Sequence, residues 1–282
     1  MTISNQIKTA VLLALLTALC LWIGGLFGMN GLIFAGILVA IMNFGSYFFS
    51  DKIVLWMYGA KEAKHSDYPK LYKIVKEVAK LSSLPMPKVY IIPTNSPNAF
   101  ATGRNKNHAA VAATAGILNL LNEEELKGVI AHEFAHIRNR DILISTVAGT
   151  IAGVISYIGV MARWSAILGG GRDDDRGGNL ISLLVLGIIT PLVATLIQLA
   201  ISRSREYLAD EVGAKTVKSG NSLADALEKI EKSVDANPMR LGSTATAHLF
   251  ISNPFRGQMF LKMFSTHPRT SERTRRLREM KF

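Results

Sequence analysis

The sequence predicts a protein of the α+β class, mainly α, with four transmembrane helices and a polar domain that contains a small β-sheet. Of the 282 residues, 49% are hydrophobic and only 19% are charged, which is too apolar for an ordinary soluble domain of this size. Four uncharged apolar runs are each about 20 residues long, enough for a helix to cross a hydrocarbon core of roughly 30 Å. The remaining polar sequence is long enough to bury one soluble core.

The apolar runs are residues 9–28, 32–50, 142–162 and 180–201. The first run could be taken for a signal peptide, but it lacks a small-residue cleavage site and a second run follows almost at once, so we expect an uncleaved anchor. Pro191 in the fourth run would bend a membrane helix rather than end it.

These runs divide the chain into four parts. An N-terminal pair of transmembrane helices (1–50) precedes a first polar block (51–141), and a membrane hairpin (142–201) precedes a second polar block (202–282). Because the two polar blocks are separated by the hairpin, we expect them to share one folded domain.

The distribution of positive charge predicts the orientation. With four spans, the lysines and arginines of the termini and of both polar blocks lie on one side, which is expected to be cytoplasmic. The other side carries an uncharged turn at residues 29–31 and a Gly/Asp-rich loop at 169–179. We interpret that loop as a solvated connection rather than a calcium site.

The formal net charge of +11 and the eight basic residues between 256 and 281 suit an anionic partner. In a membrane protein, lipid headgroups are the simpler partner for such a surface, so the lipid bilayer is expected and nucleic acid is not. Cys20 is the single cysteine, which excludes an intrachain disulfide. The sequence carries no signal for an oligomeric state.

The sequence of the first polar block predicts a helix, a strand, a β-hairpin and a second helix, in that order. "YPKLYKIVKEVAKLSSL" has helical periodicity, and "PMPKVYIIP" indicates a short strand between prolines. "NAFATG" and "HAAVAAT", separated by the turn-like "RNKN", predict a hairpin. Asn122 and Glu125 then have capping-box spacing and begin a helix that is rich in helix formers as far as Arg140.

This last helix carries an H-E-x-x-H motif, His132-Glu133-x-x-His136. The spacing places His132 and His136 one helical turn apart on one face, where both can bind a single zinc ion, with Glu133 beside them. A catalytic zinc site has three protein ligands and an open position for water, so one more ligand is needed.

Glu206 in "SREYLAD" is the preferred third ligand, on geometric grounds. His136 lies six residues before the third span and Glu206 five residues after the fourth, so an antiparallel membrane hairpin returns the chain to the same place. Asp210, one turn after Glu206, would accept the second ring N–H of a ligand histidine. The alternative ligands are four other histidines: His65, His108, His248 and His267. Glu206 and Asp210 could also form a solvated helix face paired with nearby arginines.

Four segments carry a resemblance that covers essentially the whole chain: "NAFATG" (98–103), "AHEFAH" (131–136), "SREYLAD" (204–210) and "THPRTSERTRRL" (266–277). Together they resemble the HtpX-type membrane zinc metalloproteases, relatives of the CAAX prenyl proteases. The resemblance implies a zincin-like (gluzincin) cytoplasmic domain on a bacterial inner membrane, one zinc ion held by His132, His136 and Glu206, and Glu133 as the catalytic carboxylate. It also implies a stress-related quality-control role, with misfolded or damaged membrane proteins as substrates.

The residues themselves suggest a mechanism. Glu133 would act as general base and then return the proton to the leaving amine. His267, and more weakly Arg273, are candidate donors to the tetrahedral intermediate, although His267-Pro268 could equally be a packing motif at a helix entry. "NAFATG" would form an edge strand to which an extended substrate adds, and Asn98 would either orient that substrate or serve a turn after Pro97.

The competing hypothesis is a catalytically inactive membrane scaffold with a structural zinc ion. Structural zinc sites commonly have four protein ligands and are rich in cysteine, whereas this chain has one cysteine inside a predicted span. The sequence therefore favours the enzyme.

Overall fold

The computed structural model describes residues 28–139, 141–145, 147, 203–239, 244–254 and 268–282, together with scattered positions between 7 and 25. The helices with defined bounds are α1 (Gly28–Met57), α2 (Pro69–Leu81), α3 (Ala115–Leu120), α4 (Glu123–Arg138), α5 (Arg203–Val217), α6 (Asn221–Ala236) and α7 (Thr270–Arg278), with a short 3-10 helix at Thr244–Leu249. The strands are β1 (Lys61–Glu62), β2 (Lys88–Ile92), β3 (Ala99–Asn105) and β4 (His108–Thr114). The fold is mainly helical with a small mixed sheet, as predicted.

The sheet has the strand order β1-β2-β4-β3. β2 is parallel to β4, and the other two pairings are antiparallel. The predicted hairpin is confirmed as β3 and β4, joined by Lys106 and Asn107, and β3 lies at the sheet edge. Gly103, at φ +133°, sits at the irregular end of this pairing, where a Cβ atom would lie 2.1 Å from the His108 carbonyl oxygen. Only glycine fits there.

α1 corresponds to the second apolar run, with different bounds. It begins at Gly28, so the predicted turn at residues 29–31 is helical, and it continues past residue 50 to Met57. The prediction placed the end at the first charged residue, but no helix breaker follows Asp51, and Val54 and Leu55 are buried against the sheet. In the described part of the chain, α1 is the one helix long and apolar enough to cross a membrane, over Gly28–Gly45.

The first apolar run is described only at scattered positions. One contact there is informative: Asn43 of α1 donates a hydrogen bond of 2.9 Å to the hydroxyl of Thr17. A polar side chain in the middle of an apolar helix is thus paired with the preceding run. The predicted third and fourth spans, apart from residues 142–145 and 147, and the Gly/Asp-rich loop lie outside the described residues.

Alternating side chains of the sheet enter two cores. On one face, Val111 and its neighbours pack with the apolar sides of α2, α4 and α6. On the other face, Phe100 packs edge-on to Phe250 and meets Tyr58, which follows the end of α1. The hydroxyl of Tyr58 is also hydrogen-bonded to Thr246. The second core therefore attaches α1 directly to the sheet.

The two halves of the polar sequence meet where α5 packs on α4. The approach is so close that a Cβ atom added to Gly213 of α5 would lie 2.8 Å from the backbone nitrogen of His132 and 3.0 Å from its Cα. A second close approach joins Gly128 of α4 to the backbone of Leu223, at 2.8 Å. Described residues from both polar blocks, on α4 and on α6, thus belong to one hydrophobic core.

We predict that Gly213→Ala destabilises the protein by roughly 1–3 kcal/mol, a typical cost of overpacking, because the backbone of α4 must move to admit the methyl group. The measurement is chemical denaturation of the full chain in detergent. Gly45→Ala is the matched control, since a Cβ atom there would meet nothing within 4 Å. An unchanged free energy of unfolding in Gly213→Ala would contradict the close packing of the two helices.

Candidate metal centre

The position of the histidines follows from how α4 begins. Asn122 accepts a hydrogen bond of 2.9 Å from the backbone N–H of Glu125, whose carboxylate accepts one of 3.0 Å from the Asn122 N–H. The predicted capping box is thus confirmed. It begins a helix in which His132, Glu133 and His136 all lie in the last two turns; His132 and His136 face α5, whereas Glu133 reaches β3.

Three side chains converge there. The Nε2 atoms of His132 and His136 are 3.1 Å apart. Glu206, in the first turn of α5, places its carboxylate oxygens 3.7 Å from the Nε2 of His132 and 3.6 Å from that of His136. One ligand atom from each residue lies within 4.8 Å of the other two. Among the described residues this is the one His/Cys/Asp/Glu group with metal-binding geometry.

The donor set fits zinc. Two imidazole nitrogens and one carboxylate oxygen are the ligands of known catalytic zinc sites, and three protein ligands leave a position for water. Two ring nitrogens that face each other at 3.1 Å in a buried pocket also suit a shared cation better than contact with each other. A structural, closed zinc site would need a fourth protein ligand, which the described residues do not supply.

The Nδ1 side of His132 contacts a carboxylate, and an arginine binds that carboxylate in turn. Its Nδ1 lies 2.9 Å from Oδ1 of Asp210. Arg273 of α7 donates to both oxygens of Asp210, from Nε at 2.8 Å and from Nη2 at 2.7 Å. Burial acts to raise the pKa of Asp210, but the charge and hydrogen bonds of Arg273, together with His132, outweigh it, and the pKa is lowered. Asp210 is therefore a carboxylate that points at the ring nitrogen remote from the metal position.

His136 has a carboxylate of its own. Oδ2 of Asp141 lies 3.2 Å from its Nδ1, in a side chain that is almost fully buried. Burial acts to lower the pKa of His136, but Asp141, Glu206 and Glu133 outweigh it and raise the pKa to about 9. Both histidines thus turn Nδ1 to an aspartate and Nε2 to the shared centre.

Glu133 lies beside His132, His136 and Glu206 and is also buried. Its Oε2 accepts a hydrogen bond of 2.7 Å from the backbone N–H of Ala101 in β3. Burial raises the pKa of Glu133 by more than the charge of His136 and the Ala101 N–H lower it, and the resulting pKa is about 8. A carboxyl group with such a pKa can take up and release a proton near neutral pH.

The cavity above the centre is small, about 20 Å³, and lies beneath residues 248–251. This segment follows the outer edge of β3: Ile251 donates its N–H to the Ala99 carbonyl at 3.1 Å, and its own carbonyl accepts from Arg273 at 2.9 Å. The amide of Asn98 donates to the Ser252 carbonyl at 2.7 Å. Two outer backbone groups of β3 next to the centre, the Ala99 carbonyl and the Ala101 N–H, are therefore occupied.

The other predicted residues have the following positions. His65 and His108 are exposed, and His108 contacts Asn105 in the hairpin. His248 lines the same cavity, with its Nε2 3.1 Å from the Ser145 carbonyl oxygen. His267 lies outside the described residues.

For Arg273 and Asn98 the structure adds partners that the sequence did not predict. Arg273 lies behind Asp210, with Nη1 at 4.0 Å from Glu206, so its guanidinium acts on the ligand support. A direct role as a donor to the reacting carbonyl stays a prediction. Asn98 is fully buried and joins β3 to Ser252 rather than only serving a turn.

Sequence reasoning missed Asp141 and Arg205. Asp141 lies five residues after His136 and looks like an ordinary charge at the end of the helix. Arg205 was considered only as a surface partner of Glu206 and Asp210, whereas its side chain is 9% exposed and its Nη1 lies 3.8 Å from Oδ1 of Asp141. The only signal in the sequence is its position directly before Glu206.

Comparison with known proteins agrees with this geometry. The model of "Peptidase family M48" matches residues 65–281. The chain is 52% identical to "Protease HtpX homolog" of Syntrophobacter fumaroxidans over 280 residues, covering 98% of this chain and 99% of the relative. It is 50% identical to the protein of the same name from Pyrococcus furiosus over 281 residues, covering 99% and 97%.

A solved structure is also similar. The crystal structure of S. mikatae Ste24p superposes with a TM-score of 0.52 at 17% identity, covering 98% of this chain and 66% of the other. At that level of identity the similarity concerns the fold alone. The resemblance stated from the four sequence segments is confirmed by the family match and by the relatives.

We predict that Arg273→Ala destabilises the protein by about 3–5 kcal/mol, because it leaves the Asp210 carboxylate buried and unpaired. The measurement is the free energy of unfolding of metal-free protein in detergent. Arg275→Ala on the same helix is the control, because Arg275 makes only exposed ion pairs with Glu272 and Glu279. Equal stability of the two variants would contradict the buried pairing.

Proposed function

Because this chain belongs to peptidase family M48 and is a zinc metalloprotease, we propose that it is a membrane-bound endopeptidase that hydrolyses misfolded or damaged membrane proteins on the cytoplasmic side. The observation that carries the proposal is the convergence of His132, His136 and Glu206, with the buried carboxyl of Glu133 beside them. The names of the relatives, each a "Protease HtpX homolog", agree with it.

We assign the zinc ligands to His132 Nε2, His136 Nε2 and a carboxylate oxygen of Glu206. The chemistry that zinc supplies in such a site is Lewis-acid polarisation of the peptide carbonyl and a lowered pKa of bound water. Asp210 and Asp141 hold the two rings so that Nε2, not Nδ1, faces the centre. An aspartate next to each Nδ1 favours the tautomer that carries its proton there, and the Nε2 lone pairs would then be free to bind the metal.

Glu133 moves the proton. The Ala101 N–H holds one carboxylate oxygen at 2.7 Å, which leaves the other oxygen to accept a proton from water. The same carboxyl group, whose pKa is raised by burial, then gives the proton to the leaving amine. The surrounding apolar side chains exclude bulk water, so the proton passes between Glu133 and the reacting atoms.

Substrate recognition is expected to use the main chain. β3 is a sheet edge, and an extended polypeptide that adds to it would hydrogen-bond to the Ala99 carbonyl and to Asn98. Both groups are now bound by Ile251 and Ser252, so residues 249–252 must move before a substrate can enter. Recognition through backbone groups needs an unfolded segment and reads few side chains, which suits damaged proteins.

The exposed surface of α1 supports a membrane location. Phe34, Ile41 and Phe44 are 69%, 65% and 62% exposed, a continuous apolar surface that a soluble monomer rarely leaves in water. The pairing of Asn43 with Thr17 is the kind of contact that satisfies a polar group in lipid. We place both termini and the metal centre in the cytoplasm because the basic residues cluster on that side of the four apolar runs.

We predict that Glu133→Gln abolishes cleavage of an unfolded test polypeptide while zinc stays bound, because Glu133 is not a ligand. A chelator should abolish cleavage by the wild type, and added zinc should restore it. Cleavage and zinc content are measured on the same purified protein. Retained cleavage in Glu133→Gln would rule out its role as the base, and absent cleavage by zinc-loaded wild type would favour the inactive scaffold.

Glu206 and His248 line the same cavity, so substituting each of them gives a matched test of the proposed zinc ligands. Glu206→Ala should bind zinc far more weakly, because two histidines and water remain. His248→Ala should keep wild-type zinc affinity, although His248 lies in the same cavity. Equal zinc occupancy of Glu206→Ala and wild type under a competing chelator would return His248 and His267 to consideration as ligands.

We predict that a reporter fused after Phe282 and one inserted near Arg172 lie on opposite sides of the membrane, because the positively charged segments favour the cytoplasm. Paired reporters active only in the cytoplasm or only outside it measure this directly. Finding both positions on one side would contradict the membrane hairpin between His136 and Glu206.

A further inference from the structure

We propose that Asp141 and Arg205 form a second positioning pair, which orients His136 as Asp210 and Arg273 orient His132. The proposal rests on the zinc ligand set proposed above and extends it from three ligands to their support. Neither Asp141 nor Arg205 belongs to the H-E-x-x-H motif, and neither reaches the reacting atoms.

The contact between Asp141 and His136 is the first part of the pair. Asp141 follows the end of α4 and directs Oδ2 to the Nδ1 of His136 at 3.2 Å, while Nε2 of the same ring faces His132 and Glu206. The Asp141 side chain is 3% exposed, so water competes little for this contact. A ring held in this way donates Nδ1–H and keeps the Nε2 lone pair for a metal.

The second part is the buried guanidinium of Arg205. Its Nη1 lies 3.8 Å from Oδ1 of Asp141, the oxygen that is turned away from His136. Within the described part of the chain, none of its three nitrogens has a hydrogen-bond partner. A buried cation without hydrogen bonds is costly, and the charge of Asp141 is the nearest compensation. Arg205 therefore acts on Asp141 by charge rather than by directed hydrogen bonds.

The two pairs differ in how tightly they are joined. Arg273 binds Asp210 through two parallel hydrogen bonds of 2.8 and 2.7 Å, whereas Arg205 approaches Asp141 through one contact of 3.8 Å. A planar bidentate contact requires arginine, but a single contact by charge does not. The geometry therefore predicts that lysine can replace Arg205 and cannot replace Arg273.

α5 carries Arg205, Glu206 and Asp210 within two helical turns, so this one helix acts on both histidines of α4. Arg205 and Glu206 are consecutive residues, so the same helical turn supplies a ligand to the centre and a charge to Asp141. Asp210, one turn later, reaches His132. α5 thus orients each histidine of α4 through a separate aspartate, one of its own and one in the segment that follows α4.

The test is zinc affinity, measured on the purified full chain in detergent by competition with a chelator. Asp141→Asn should weaken zinc binding about 10-fold to 100-fold, the usual cost of changing a residue that supports a ligand histidine. Glu124→Gln, an exposed carboxylate in the first turn of α4, is the control and should leave the affinity unchanged. Arg205→Gln should weaken binding by less than Asp141→Asn, and Arg205→Lys should restore it, whereas Arg273→Lys should not match wild type.

A double-mutant cycle separates positioning from general damage to the fold. If Arg205 acts through Asp141, Arg205→Gln changes zinc affinity in the wild type and has little further effect in Asp141→Asn. If the losses of zinc affinity of the two single variants multiply in the double variant, Arg205 does not act through Asp141 and the proposed pair is wrong. Wild-type zinc affinity in Asp141→Asn would also contradict it. If Glu206→Ala and wild type bind zinc equally, the proposed ligand set itself fails. If only the Asp141 and Arg205 variants match wild type, the ligand set stands and this inference fails.

Discussion

The close packing of α5 on α4 is the constraint on which the rest of the site depends. At Gly213 the two backbones approach to the point where no side chain fits between them. This approach places Glu206 opposite His132 and His136, and Asp210 opposite His132. Three side chains from two distant parts of the chain could share one ion only if the helices that carry them are fixed to within a fraction of an ångström.

Burial of charge at this interface has a consistent pattern. Each histidine meets an aspartate, and each aspartate meets an arginine, so that the charges alternate away from the centre. Unpaired, any of these groups would be costly to bury. Arg273 serves a further purpose, because it also donates to the Ile251 carbonyl and so connects Asp210 to the segment that covers the cavity.

Residues 248–251, which lie over the cavity, contact the same edge of β3 that binds Glu133. Ala101 holds Glu133, and Ala99, two residues earlier on the same edge, holds Ile251. Phe250 lies between these contacts in the aromatic core that also receives Tyr58 from the end of α1. The segment over the cavity is therefore joined both to the edge of β3, through Ile251, and to Tyr58, the residue that follows α1, through Phe250.

The sequence by itself determined the local features. Helical periodicity, the capping box and the two β-patterns are set by neighbouring residues, so α2, α4, β2 and the β3–β4 hairpin were predicted, as were the paired histidines on one helical face. The two-residue strand β1 is too short to show alternation, and α1 runs beyond the predicted end because burial of Val54 and Leu55 extends it.

Only the tertiary structure decided which distant side chains meet. Asp141 and Arg205 are ordinary charged residues in their own sequence surroundings, and 64 positions separate them. Arg273 was a weak candidate donor to the reacting carbonyl, a role that stays a prediction, and its two hydrogen bonds to Asp210 could not be read from the sequence. Spacing along a helix predicts which residues share a face, but pairing between elements depends on how their backbones approach, and here that approach is set by the absence of a side chain at Gly213.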